Sequence, residues 1–509
     1  MTIFSSSVSM YAVGKLLNGQ PARATAMGRE LRRVWRRELL RVWRQVCGQV
    51  PLWFAFALTL GAQTGTPAPT NALRDGTIRS RMLENGLQVI VVRSDAIPFA
   101  TVEMVFRAGA FTQIYDELQG VPHLLEHMLF RKADRGPEGT FSGRASAIDA
   151  SWNGVTSDET VRYYLLAPSK HIAKSIDLAS DLVRQAIFTD EGLDVERRVV
   201  RGELERRAAE PEALLRVVAD RQLWTDAGWE RKNAGGNMIA ITGATLDQLK
   251  DLHKRYYVPN NAALIITGDV NVDEVFSLAE AKFRGWKRGP DPLASLPALD
   301  IAPLKAITRE TFTASVRDVT FLIRWHGPSV GRDRAATYAA DVFAGLVNQS
   351  LSGTQRRLVD TGLFEGVSLS YDTKRFVGPI ELYAKTTPEQ AVAAATALGA
   401  ELGKLVRPDY FDASDLGFAR KRQRVYAEFR AEQASGYAHT LAEMWSSADL
   451  DYQLTYADSI DNRTAGDVQR FVDAYLKGKP MSITVMMSYP TQQAIALPLR
   501  NALAAWKAP

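Results

Sequence analysis

Val121-Pro122-His123-Leu124-Leu125-Glu126-His127-Met128-Leu129-Phe130 is the stretch around which the rest of the chain is organised. Wound as a helix, at about 100° per residue, it places His123, Glu126 and His127 within one arc of roughly 100°, and Leu124, Leu125, Met128 and Leu129 on the opposite side. One face can bind a metal while the other anchors a core. Two imidazoles at i and i+4 point the same way and can share one zinc ion. A carboxylate between them is close enough to take a proton from water at the metal. The order H-x-x-E-H reverses the H-E-x-x-H arrangement in which two helical histidines hold zinc. The chain has only six histidines, so the pattern is specific; two buried histidines with no metal are the plainer alternative.

Outward from the motif, 509 residues with 46% apolar and 23% charged content are enough for two or three ordinary globular cores. The net charge of +5 hints at nucleic-acid binding until it is divided along the chain. Residues 1–62 hold nine Lys/Arg against Glu30 and Glu38, which leaves 62 − 9 = 53 basic and 57 − 2 = 55 acidic residues beyond. The body is near neutral, and no nucleic-acid partner is expected. Its single cysteine, Cys47, also lies in the leader, so the body can neither form a disulfide nor use a thiol.

After the Arg-rich run 29–44 comes an apolar stretch at 50–62, as long as a signal-peptide core and short for a bilayer span. Residues 1–62 therefore read as a leader of secretory type, with the protein in the periplasm or secreted. An organelle-import segment and an uncleaved membrane anchor are the competing readings. Residues 63–76, rich in Thr, Pro, Gly and Ala, form a flexible spacer.

The expected fold is α+β, with two related domains of the α/β-roll kind, each a mostly antiparallel sheet packed with helices. Asn85-Gly86 ahead of a β-branched run predicts an opening hairpin. Strands are expected at 99–106, 147–152, 160–166 and 262–267, the middle two flanking Asn153-Gly154 and Ser157-Asp158 as a hairpin. Helices are expected at 169–188, from 191 until Pro211 discourages continuation, and at 245–257. The Pro- and Gly-rich stretch 287–306 reads as a linker between a first domain at 77–286 and a second at 307–509. Beyond it the pattern recurs. Leu252-His253-Lys254-Arg255-Tyr256-Tyr257 and its strand are echoed by Phe471-Val472-Asp473-Ala474-Tyr475-Leu476 and the strand after it. The second half has no H-x-x-E-H, so the sequence supports one zinc per chain at most.

Two histidines leave a catalytic zinc short of one protein ligand, and a carboxylate is the usual third in a peptidase. Glu196 and Glu203 are seven apart and share a helical face, whereas Glu205 sits about 200° round from Glu203. On spacing alone, a solvated charged helix face is the favoured reading of them.

The sequence resembles the pitrilysin/insulinase family of zinc metallopeptidases, the inverzincins. It is most similar to the two-domain branch that includes mitochondrial processing peptidase and its bacterial relatives. The resemblance rests on residues 120–130, Asn153-Gly154-Val155-Thr156, Glu196-Arg197-Arg198-Val199-Val200-Arg201-Gly202-Glu203, and Tyr256-Tyr257-Val258-Pro259-Asn260-Asn261-Ala262 with Gly268-Asp269. In that family the third ligand follows the second histidine by about 76 residues, and here 203 − 127 = 76. The resemblance thus implies Glu203 as ligand with His123 and His127, Glu196 as a supporting acid, and Glu126 as the base of a zinc-dependent endopeptidase. Asn153, Gly154 and Thr156 resemble the family's Asn-Ala-x-Thr edge strand, to which substrate adds as an extra strand. Gly154 in place of Ala should loosen that strand slightly.

The resemblance also implies a partner. In the family two domain pairs close on the peptide, and an Arg and a Tyr seven apart in a second-half domain grip it. Registered on Gly362, those places here hold Leu358 and Glu365. A heterodimer with a paralogous chain lacking the zinc motif is expected, with a homodimer as the alternative. A non-catalytic interaction subunit of a peptidase-like complex is the other functional class to weigh.

Overall fold

Gly86 takes the positive φ (+91°) that a tight turn asks of it, and β1 (Ile78–Met82) folds back antiparallel on β2 (Gln88–Arg93). The computed structural model describes residues 78–509 except 132–138, 225, 300 and 433. The leader and spacer expected at 1–76 lie outside the described residues. After β2 come β3 (Phe99–Phe106), β4 (Ser151–Thr156), β5 (Val161–Pro168) and β6 (Ala262–Gly268), and the sheet runs β1-β2-β6-β3-β5-β4. The pairing is antiparallel except where β2 runs parallel to β6.

The main helices of this half are α1 (Val121–Phe130), α2 (Ile172–Arg184), α3 (Asp190–Ala209), α4 (Pro211–Leu223) and α5 (Val272–Phe283). Helices α1, α2 and α5 bury Leu124, Leu125, Met128, Ile176, Leu182, Val275 and Phe276 against Val89, Val91, Val102 and Met104 of one sheet face. Because side chains alternate along a strand, Ile90, Val92 and Val105 emerge on the other face and need a second cover.

The second half repeats the plan with β7 (Thr308–Thr313), β8 (Val319–His326), β9 (Gly366–Tyr371), β10 (Pro379–Thr386) and β11 (Ser482–Met487), in the order β7-β11-β8-β10-β9. Its main helices are α6 (Arg334–Val347), α7 (Ala391–Leu405), α8 (Ala413–Glu432), α9 (Ala434–Ser447) and α10 (Tyr489–Ala504). Strand for strand, β2-β6-β3-β5-β4 corresponds to β7-β11-β8-β10-β9, down to one parallel pair in each sheet. The α+β expectation is met. The missing cover comes from α9, which lays Tyr437, Ala438, Leu441, Ala442 and Trp445 on Ile90, Val92, Val105, Ala263 and Ile265.

Two local expectations change, and a third holds with an addition. Residues 147–150 are not strand: the helix Phe141–Ser146 ends in a turn with Asp149 at φ +54°, and the strand begins at Ser151. Asn153-Gly154 accordingly lies inside β4, opposite Tyr164 and Tyr163, and makes no turn. The turn belongs to Ser157, whose Oγ accepts from the N–H groups of Glu159 (3.3 Å) and Thr160 (3.1 Å). Finally, Pro211 does not only close α3; it opens α4, where a missing N–H costs nothing in the first turn.

The β4–β5 turn is locked to the second half. Asp158 sits between Lys232 Nζ (3.1 Å) and Lys374 Nζ (3.0 Å), and Glu159 accepts from the backbone N–H groups of Arg375 (2.8 Å) and Phe376 (3.1 Å). The described residues of 287–306 contain no helix or strand but are held down, with Leu299 and Ile301 buried and Arg231 Nη1 donating to the Pro297 carbonyl at 2.9 Å.

Candidate active site

Helix α1 begins one residue after Gly120, whose φ of +86° turns the chain into it. Pro122 is tolerated in that first turn, and the leucine face is buried as the periodicity requires. Packing of that face fixes the rotation of the helix, so His123, Glu126 and His127 turn toward α3 and β4. Helix α3 starts on a Thr189 cap, with the hydroxyl accepting from the Gly192 N–H at 3.1 Å, and is anchored by buried Leu193 and Val200. That anchoring presents Glu196 and Glu203 to α1.

The two histidine rings lie 4.9 Å apart between centroids. His123 Nε2 and His127 Nε2 are each 3.6 Å from Oε2 of Glu203. One ligand atom from each of the three residues lies within 4.8 Å of the other two, and among the described residues no other such group of His, Cys, Asp and Glu occurs. Glu205, on the far side of α3, pairs outward with Arg201 at 3.4 Å.

Around this group the supporting contacts are specific. His127 Nδ1 lies 3.0 Å from Glu196 Oε2, which fixes the tautomer that leaves Nε2 a free lone pair facing Glu203. Glu196 in turn accepts from Arg131 Nε. Burial resists charge on both partners, yet the hydrogen bond and the nearby carboxylates raise the His127 pKa, and His127 and Arg131 lower that of Glu196. His123 is different. Burial first, then His127 and Arg207, push its pKa down to about 3, so its imidazole is neutral at working pH. Two imidazole nitrogens and one carboxylate oxygen are a donor set that suits zinc.

Glu126 is 6% exposed and accepts from Thr156 Oγ1 at 2.6 Å. Burial raises its pKa, and the Thr156 bond is the largest influence holding it down. Gly154 lies flat beneath the same carboxylate: a Cβ there would stand 2.5 Å from Glu126 Oε1 and 2.8 Å from its Cγ. The strand around Gly154 is regularly paired, so the consequence of this glycine is room for Glu126.

All eight residues singled out in the sequence, His123, Glu126, His127, Asn153, Gly154, Thr156, Glu196 and Glu203, line one cleft of about 1030 Å³ between α1, α3 and the edge strand β4. Sequence reasoning missed Arg131, which lies one turn past His127, and the aromatic wall of Phe130 and Trp152, whose rings are 4.7 Å apart. It also missed Arg206 and Arg207 on the α3 side. In the second half, Leu358 is 1% exposed in the core, Glu365 pairs with Lys385 at 3.7 Å, and Arg357 clasps Glu401 through Nε and Nη2, both at 2.6 Å.

The chain matches the family model "Insulinase (Peptidase family M16)" at residues 88–233 and "Peptidase M16 inactive domain" at residues 243–422. An uncharacterized zinc protease of Rickettsia felis is 22% identical over 326 residues, covering 64% of this chain and 77% of the relative. Among solved structures, a protease from Helicobacter pylori superposes with a TM-score of 0.70 at 21% identity, over 80% of this chain and 99% of that one. The periplasmic protease PqqL from Escherichia coli superposes with a TM-score of 0.67 at 15% identity, over 84% of this chain but 50% of that one. This chain thus spans half the length of that protease.

Proposed function

Because the chain belongs to the insulinase family of peptidases, peptidase family M16, we propose that it is a zinc-dependent endopeptidase that hydrolyses extended peptides or unfolded proteins. The observation that carries this is the convergence of His123, His127 and Glu203 in the same cleft as a buried carboxylate, Glu126. His123, His127 and Glu203 would hold one zinc ion, which supplies Lewis acidity toward water and toward the scissile carbonyl. Glu196 holds His127 by its Nδ1–H and so keeps Nε2 turned to the site. Glu126 takes a proton from the attacking water on a carboxylate oxygen and passes it to the nitrogen of the leaving amine. The backbone of β4 at Asn153, Gly154 and Thr156 receives the peptide as an added strand, since β4 is the outermost strand of its sheet.

In this assignment residues 77–286 are the catalytic domain, 287–306 the linker and 307–509 the non-catalytic domain. The chain acts beside a second, related chain that lacks H-x-x-E-H, forming a heterodimer, with the homodimer as the alternative arrangement. Two features support a partner: Leu358 and Glu365 cannot grip a peptide as an Arg and a Tyr would, and PqqL of Escherichia coli is twice as long as the stretch this chain matches. That relative is named as periplasmic, which supports a periplasmic site for this chain too; among the described residues no helix is long and apolar enough to cross a membrane.

The test is to purify the zinc-loaded protein, alone and with its paralogue, and follow cleavage of an unstructured peptide library by mass spectrometry. Glu126→Gln should retain zinc and lose cleavage. Intact cleavage by that variant would refute the assignment of the base, and a wild-type protein that binds no zinc would refute the metal centre.

A further inference from the structure

We propose that the α3 wall of the cleft is a carboxylate-recognition subsite, in which Arg206 and Arg207 bind a carboxylate of the peptide lying on β4. The inference rests on the peptidase reading and adds a substrate class to it.

Several charges along α3 are already answered by neighbours. Arg197 pairs with Asp194 at 2.6 Å, Arg201 pairs with Glu205, and Glu196 is shared by His127 and Arg131. Glu203 faces the two imidazoles. Arg206 and Arg207, one turn beyond Glu203, have no hydrogen-bond or ion-pair partner among the described residues, yet both line the cleft. At about 100° per residue, Arg207 falls within roughly 40° of Glu203 on the helix, so its side chain leaves on the metal-site face. Its Nη1 lies 3.5 Å from the place where Gly235 would carry a Cβ, against the loop whose neighbouring Ala234 also lines the cleft.

Two free guanidinium groups at a helix C-terminus also suit the helix dipole, and that is the plain account of them. It explains a positive charge in the last turn and leaves unexplained why both arginines border the cleft with no ion-pair partner among the described residues. Of the cleft's carboxylates, only Glu210 has no partner already described, so one positive charge is left over on this wall. Among the described residues the facing wall offers no carboxylate to match it: Phe130, Trp152, Thr140 and Ser142 are neutral, and Arg131 is held by Glu196. A strand added to β4 sends alternate side chains toward α3. The forked donors of arginine fit a carboxylate there better than any neutral side chain.

The test uses full-length, zinc-loaded protein and a family of matched peptides with Asp, Asn or Lys placed in turn at each position around the cut. Parallel sets carry a free or an amidated C-terminus. Wild-type protein should favour Asp over Asn at one position by about three- to tenfold in kcat/KM, an advantage that shrinks at high salt because the arginines are exposed. Arg206→Gln/Arg207→Gln should bring that ratio to about one, and Arg206→Glu/Arg207→Glu should invert it in favour of Lys. Arg201→Gln, which removes an outward-facing charge, should leave the ratio where it was. If amidation removes the preference while internal Asp→Asn does not, the subsite reads a chain terminus; if the reverse, a side chain. Binding of the same peptides to the Glu126→Gln protein, followed by fluorescence anisotropy, separates the two ideas. Asp-selective binding that depends on the arginines, with no cleavage by wild type, keeps the subsite and overturns the peptidase reading. Cleavage without charge preference, or a preference that survives the double glutamine variant, overturns the subsite alone.

Discussion

Replacing Thr156 by valine removes one hydroxyl and almost nothing else. The side chain stays β-branched, which suits β4, and its shape is unchanged, so the strand should pair with β5 as before. What is lost is the 2.6 Å bond to Glu126 Oε2. A hydrogen bond to a charged group contributes about 1.5–3 kcal/mol, and about 1.4 kcal/mol is a factor of ten. If the bond serves to hold the base in its working form and place, kcat should fall about ten- to a hundredfold. A second signature comes from protonation. Burial pushes the Glu126 pKa up and Thr156 draws it back, so without the hydroxyl the pKa rises further. A base must be ionised to work, so the acid limb of the kcat/KM profile should move to higher pH. The assay is hydrolysis of a fluorogenic peptide between pH 5 and 8, with zinc measured on the same samples and Thr156→Ser as the rescue. A valine variant with wild-type kcat and an unmoved acid limb, or one that had lost its zinc, would refute the reasoning.

Zinc content should drop in His123→Ala, His127→Ala and Glu203→Gln, and hold in Glu205→Gln, whose carboxylate faces Arg201; normal occupancy in the Glu203 variant would contradict the ligand set. Lys374→Met should cost about 1.5–3 kcal/mol in urea unfolding, because it strips one of two charged hydrogen-bond partners from partly buried Asp158. A loss below about 1 kcal/mol would mean that the lock between the two halves is weak. His326 donates Nε2–H to the Leu223 carbonyl at 2.7 Å, and burial lowers its pKa. Below about pH 6.5 the unfolded chain therefore gains a proton there that the folded chain resists. Wild type accordingly loses stability from this group as pH falls, and His326→Gln does not, so the stability difference should move in the variant's favour between pH 7.5 and 5. A difference that stayed constant would show that His326 titrates normally.

The legible parts of the fold were those whose cause is local. Helix α1 follows from a leucine face and a start at Pro122, and β3 and β6 from largely apolar runs, whereas the seven-residue spacing on α3 only put Glu203 on one face with Glu196 and the family resemblance singled it out. What escaped had its cause elsewhere in the chain. Strand β7, Thr-Arg-Glu-Thr-Phe-Thr, carries almost no apolar signal because it is an edge strand, exposed along most of its length. Asn153-Gly154 looked like a turn because the dipeptide usually is one, whereas the turn-forming hydroxyl was Ser157 four residues on. Thr156 was legible as part of a substrate strand, but its bond to Glu126 joins residues 30 apart and no pattern in either segment announces it.

The duplicated plan shows what each half does for the site. Helix α6 stands in the second sheet where α1 stands in the first, but eleven of its fourteen residues are buried and it presents no histidine; it is core and nothing more. The second half serves the cleft from outside. Its α9 covers the face of the first sheet that holds Ile90, Val105 and Ile265, a face that would otherwise lie open to water. Its loop at 374–376 grips Asp158 and Glu159, two and three residues beyond the threonine that holds Glu126. On the proposed function, a peptide added to β4 would pull on the strand whose far end is that turn, and the bonds from Lys374 and the backbone of Arg375 and Phe376 would resist a shift of β4 and hence of Thr156 against Glu126. The second half would in this sense support the proposed catalytic geometry, although none of its described residues lines the cleft.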